Sequence, residues 1–274
     1  MTSHPMIRKE FNELVKTYKI LIVPIVFIAL MITQPITMKM LPDILANSTG
    51  LPEGAVIKIP TPSAPEVLST AISKFSSLGT FVLILNVMGS IAGEKASGVA
   101  SMVFVKPISR AKYYLAKTIT YYTLTIVSML IGMGITAYYT EILFGKLDWT
   151  HVWIGTLMYI PNLFLVVTTT LCASSFFSNA GGASLVFNIL IFSVPQFLGK
   201  FLDMVSLGGL SNAAMMIIQE NSTLSQAFIT GLPGLAGVFT LNIVFFFMGW
   251  YFLERSRNLK RRRRNGTFLA DLVG

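Results

Sequence analysis

Residues 118–140 read TITYYTLTIVSMLIGMGITAYYT, a run without Asp, Glu, Lys, Arg or His. Wound as a helix at 1.5 Å per residue, it is about 35 Å long, enough to cross a hydrocarbon core of roughly 30 Å. A single ionised side chain at mid-bilayer would cost about 2.5–3.5 kcal/mol, and this stretch avoids that cost. Working outward, five more runs do the same: Ile20–Met38, Phe75–Gly93, Val152–Phe177, Ala183–Gly199 and Gly231–Leu253. The pattern predicts an all-α, polytopic membrane protein with six transmembrane helices.

Composition agrees. The 274-residue chain is 53% hydrophobic and 12% charged, against about 25% charged in a soluble domain. Its length fits one six-helix domain over residues 20–254, with little left for a second folded unit. A net charge of +9 raises nucleic acid as a partner, but the distribution of charge argues against it. With the amino terminus inside, the inner segments hold 16 Lys and Arg and the outer ones 5. That bias follows the positive-inside rule and puts both termini in the cytoplasm of a plasma membrane. The first run is too long for a signal core and lacks a cleavage site. The single cysteine, Cys172, excludes an intrachain disulfide.

Segments outside the spans carry the rest. In residues 1–19, Met6, Ile7, Phe11, Leu14, Val15 and Tyr18 fall on one helical face, with Arg8, Lys9, Glu10, Glu13 and Lys16 largely on the other. This predicts an amphipathic helix lying in the membrane interface, with Phe11, Leu14 and Tyr18 on its apolar side. The outer loop 39–74 holds Pro42, Pro52, Pro60, Pro62 and Pro65, which disfavour a long helix; a short helix is expected near Pro65–Lys74. Residues 200–230 contain apolar patches too short to cross, and read as a re-entrant outer hairpin before the last span. The tail, 255–274, contains Lys260 followed by Arg261–Arg264. Its position just after a span favours anionic lipid over nucleic acid.

Motifs for covalent chemistry are missing. The two histidines, His4 and His151, are far apart, no carboxylate pair lies in a span, and there is no Gly-x-x-x-x-Gly-Lys-Ser/Thr loop for nucleotide. Metal ligation and intramembrane catalysis are therefore not expected, and ion coupling lacks a mid-membrane ionisable residue. Asn86, Asn162, Asn188 and Asn242 are the candidate path-lining residues; the simpler reading of each is an interhelical hydrogen bond. Gly89-Ser-Ile-Ala-Gly93 has the small-xxx-small form and is expected to pack helices within the subunit.

The longest internal inner segment, 94–117, opens with Glu94, Lys95 and Gly98, turns at Pro107, Ile108, Ser109 and Arg110, and enters the next span at Lys117. Ser109 is placed to cap the helix that follows. These residues, the six-span layout, the amphipathic start and the Ser-Ser-Phe-Phe-Ser inner end of the fourth span resemble permeases of the ABC-2 type, membrane subunits of ATP-binding-cassette exporters. The stretch Val99–Val105 departs from that pattern in lacking an early Thr or Glu. The resemblance implies a prokaryotic exporter with two soluble ATPase subunits that carry ATP and Mg, and a second permease chain. It implies no cofactor in this chain. It makes 94–117 the coupling loop, through Glu94, Lys95, Gly98, Pro107, Ser109, Arg110 and Lys117, with a path along the permease seam for amphipathic cargo such as a lipid-like molecule, peptide or antibiotic. A non-transporting scaffold or sensor subunit would share the spans without needing that lever.

Overall fold

A computed structural model describes residues 4–46, 62–97, 109–176, 186, 207–219 and 224–270. Among them every regular element is helical: α1 (His4–Lys16), α2 (Lys19–Ala46), α3 (Ala64–Val87), α4 (Gly89–Ala96), α5 (Arg110–Phe144), α6 (Trp149–Phe176), α7 (Leu207–Ile218) and α8 (Leu224–Ala270). Five stretches are long and apolar enough to cross a membrane: Lys19–Pro42, Ala64–Ala96, Arg110–Phe144, Trp149–Phe176 and Phe228–Arg255. They correspond to five of the six runs; of Ala183–Gly199 only Val186 is described.

The apolar core forms where α2, α3, α5 and α6 meet. Phe27 and Phe75 pack edge to face at 4.7 Å, and Phe75 meets Tyr159 at 6.2 Å. All three are essentially inaccessible. α6 is the most enclosed span, whereas α2 and α8 show most of their surface outward, as helices facing lipid do. Many Ser and Thr hydroxyls within the spans satisfy themselves. Thr118, Thr120, Thr125, Ser128, Thr136, Thr140, Thr156 and Thr170 each donate to the carbonyl four residues back. This is how polar side chains become cheap in a membrane.

Of the outer-loop prolines, Pro42 lies inside a helix and Pro65 opens one, while Pro52 and Pro60 lie outside the described residues. α2 continues to Ala46 with Pro24, Pro35 and Pro42 inside it. α3 begins at Ala64 and runs unbroken into the span, so the short helix expected near Pro65–Lys74 is the outer extension of α3. Pro65 sits in the first turn, where its missing N–H costs nothing, and the Ser63 amide is met by Glu66 Oε2 at 3.4 Å. In lipid there is no water to compete for freed carbonyls, so a helix outlasts its prolines.

α7, at about 18 Å, is half the length needed to cross. It packs against the ends of α3 and α6 farthest from α1: Gln219 donates to Ser69 at 2.6 Å, and Ser211 meets Ser76 at 3.1 Å. A methyl group added to Gly155 would come within 3.0 Å of the Ala214 carbonyl and 2.6 Å of Ile218. Only glycine lets α6 and α7 approach so closely. The part of the 200–230 hairpin before α7 lies outside the described residues. By contrast, methyls added at Gly89 and Gly93 would meet nothing within 4 Å. That small-xxx-small pair therefore does not pack helices among the described residues, contrary to expectation: α4 turns its Ile91, Ala92 and Glu94 side inward instead.

Between α1 and α2 the chain turns at Tyr18, whose φ of 56° is left-handed. The Tyr18 amide bonds to Val15 O at 3.0 Å, and the Tyr18 carbonyl accepts from Leu21 and Ile22 at 3.1 and 3.0 Å. Tyr18 is thus the elbow beyond α1, not part of its apolar face. A β-branched residue is strained in this conformation and glycine is not. Tyr18→Val should lower stability by about 1–2 kcal/mol, and Tyr18→Gly should not. Thermal unfolding of the two variants in nanodiscs checks this, and equal midpoints would count against a left-handed elbow.

Candidate functional site

Three helices place their charged residues together at the end of the bundle that carries α1. On α1, Met6, Glu10 and Leu14 recur every fourth residue and form one row, buried to 7%, 3% and 3% exposure. The row packs toward α5. The expected division of α1 into an apolar and a charged face therefore fails at Glu10. Leu14 points inward while Phe11 and Tyr18 are exposed.

Glu10 goes inward because Lys117 is there. Lys117 Nζ, at 1% exposure, lies 2.7 Å from Glu10 Oε2 and 2.8 Å from Glu94 Oε1. The Tyr113 hydroxyl donates to Glu94 Oε2 at 2.5 Å. Lys9 closes the outer side, 3.2 Å from Glu10 Oε1, 3.5 Å from Glu94 Oε1 and 3.6 Å from Glu13 Oε2. The carboxylates of Glu10, Glu13 and Glu94 come within 4.8 Å of one another, as at a cation site. Here two ammonium groups already supply the positive charge. Separating either carboxylate from Lys117 would leave a buried charge unpaired, so α1, α4 and α5 are bound to move together.

The flanks of this knot respond as expected. Burial opposes the charge on Lys9, but the carboxylates of Glu10 and Glu94 outweigh it and hold the ammonium above its ordinary value. Burial raises Glu13, and the neighbouring Glu94 and Glu10 carboxylates add to that against Lys117. A carboxyl raised on folding stabilises the fold below its ordinary value of 4.5 and loses that contribution as pH climbs through the folded value. Glu13→Gln should therefore stabilise at neutral pH, with the gain vanishing under acid. Unfolding midpoints across pH test this; a variant less stable than wild type at pH 7 would reverse the sign.

The residues expected to grip a partner are mostly engaged within the chain. Glu94 and Lys117 are the centre of the knot. Lys95 Nζ donates to the Ser175 carbonyl near the end of α6. The Arg110 guanidinium donates to the Leu253 carbonyl of α8 at 2.6 Å. Ser109 is exposed and caps α5 as expected, its hydroxyl accepting from the Lys112 amide at 3.3 Å. Gly98 and Pro107 lie outside the described residues. Every described residue of this set except Ser109 therefore reaches into the bundle and ties one end of the 98–108 segment to a different helix. Sequence reasoning missed Glu10 and Tyr113 as parts of this end; the four-residue row through Glu10 was the available signal for the first.

Three of the four candidate path-lining residues are described. Asn242 Oδ1 accepts from Tyr122 at 3.2 Å and Thr168 at 2.9 Å, joining α8 to α5 and α6. Asn86 belongs to the charged end, where its backbone carbonyl accepts from Lys19 at 2.8 Å. Asn162 is buried in α6. Asn188 lies outside the described residues. For Asn242 the interhelical reading holds.

Membrane-crossing helices, with ionic groups gathered at one end and buried polar groups joining helix to helix, define a polytopic membrane protein. Residues 55–229 match the model of the family described as ABC-2 family transporter protein. An uncharacterised transmembrane protein, YxlG of Bacillus subtilis strain 168, is 31% identical over 179 residues, which covers 65% of this chain and 69% of that one. The chain belongs to the ABC-2 transporter family and is a membrane permease subunit of an ABC transporter. The matched range includes Glu94 and Lys117 but not Glu10.

Proposed function

We propose that this permease serves an exporter and is driven by two soluble ATPase subunits acting on the segment between Ser97 and Ser109. A second permease chain, identical or homologous, completes the path along their shared seam. The charged end faces the cytoplasm of a prokaryotic plasma membrane, with the basic tail on anionic lipid. The cargo is amphipathic: a lipid-like molecule, a peptide or an antibiotic. ATP and Mg reside on the partner.

The observation that carries this reading is the anchoring of both flanks of that segment. On one side Glu94 and Lys95 reach α5, α1 and α6; on the other Arg110 reaches α8 and Lys117 returns to α1 and α4. A force on the segment therefore acts on five helices at once. A ligand drives such a change only by favouring one arrangement over the other. A scaffold would not need this convergence.

Affinity purification from native membranes should bring down a nucleotide-hydrolysing protein. Pro107→Gly should leave insertion and that association intact while abolishing ATP-driven transport. Arg110→Glu is a less clean probe than its sequence suggests, because the new carboxylate would face the Leu253 carbonyl. A clean preparation without any ATPase, or full transport by Pro107→Gly, would remove the coupling role.

A further inference from the structure

We infer that Ser174 is a positioning residue that fastens α4 to the end of α6, so that α4 turns with α6 about Met88 and not with α3. This rests on the coupling reading above and specifies where the motion goes. α4 begins without a capping oxygen of its own: its N-cap is Met88, at φ −55° and ψ −33°, with no side-chain hydrogen bond. The first amides of a helix need an acceptor, and hydrocarbon offers none. Ser174 Oγ supplies it from another span, accepting from the Ile91 amide at 3.2 Å and the Ala92 amide at 3.0 Å. Ser174 is fully buried.

The exchange is mutual. The last carbonyls of α6 need donors, and Lys95 in the last turn of α4 donates to Ser175 O. Ser175 Oγ then donates to the Cys172 carbonyl at 2.7 Å and the Gly249 carbonyl at 3.0 Å, bringing in α8. Towards α3 the only break is the single turn residue Met88, whose amide still bonds to the Ile84 carbonyl at 2.8 Å. α4 is thus held from the side by α6 through Ser174 and Lys95, and by α5 and α1 through Glu94, with Met88 as the point where it can bend away from α3.

Two measurements on the full chain in nanodiscs test this. Without any ATPase, Ser174→Ala should speed hydrogen exchange of the 89–96 amides roughly fivefold, the loss of one cap, and Ser174→Thr, which keeps the oxygen, should retain protection. Unchanged exchange in Ser174→Ala overturns the fastening whether or not an ATPase binds. With the copurified ATPase, spin labels at exposed positions 85, 96 and 176 report the motion. On adding ATP, the 85–96 distance should shift while the 96–176 distance holds; a shift confined to 96–176 overturns the proposal. No ATP response at any pair counts against the coupling role, and the exchange result then decides the fastening by itself.

Discussion

Lys117→Met should destabilise the protein by about 3–5 kcal/mol, because it leaves the Glu10 and Glu94 carboxylates buried without their shared cation. Methionine fills a similar volume, so the loss reports charge, not a cavity. Lys9 compensates little, as it is 37% exposed and stands 3.2 and 3.5 Å from the same carboxylates. Adding Glu10→Gln and Glu94→Gln to Lys117→Met should recover most of the loss, since an apolar or neutral knot of the same shape is no worse than the ionic one. Reversible unfolding in detergent, analysed as a double-mutant cycle of Lys117→Met with Glu94→Gln, measures the coupling. If Lys117→Met stays within about 0.5 kcal/mol of wild type, the size of an ordinary surface substitution, then the knot does not hold the three helices.

Gly249→Val should cost about 3 kcal/mol, the upper end for overpacking. A Cβ at Gly249 would lie 2.3 Å from the Tyr114 hydroxyl oxygen, 2.8 Å from its Cζ and 3.1 Å from the Cys172 Cα. The Tyr114 ring is fully buried against Phe246 at 5.2 Å, so it has nowhere to retreat. The contact also explains a buried hydroxyl that has no hydrogen-bond partner among the described residues: Tyr114 fills the groove that the glycine leaves. Tyr114→Phe by itself should be neutral or stabilising by about 1 kcal/mol, since it removes that unmet group. It should also relieve part of the damage done by Gly249→Ala. If Gly249→Ala costs the same with Phe as with Tyr at position 114, the hydroxyl is not the point of collision.

The spans were legible because the bilayer imposes a one-dimensional rule. An apolar run such as 118–140 must hydrogen-bond internally, whatever its neighbours do. Local caps were legible too: Ser109 and its Lys112 amide lie three residues apart. Pro42 misled because proline was judged by its behaviour in water. The Gly89–Gly93 pair misled because a spacing of four marks a face without saying what lies opposite.

The charged end was half legible. Glu94, Lys95, Arg110 and Lys117 could be singled out along the chain, but their surroundings could not. Glu10 and Lys117 are 107 positions apart, and Ile91 and Ser174 are 83. Charge and hydroxyl content alone place such groups at a solvated end. Only packing shows that Glu10, Glu94 and Lys117 are shut off from solvent and that each must find its partner in another helix. The sequence by itself therefore determined that this chain lives in a membrane and where five of its spans run, because desolvation acts on each segment separately. The tertiary structure decided which ends are bound to one another, because a buried charge or amide is satisfied only by a partner whose distance along the chain nothing local records.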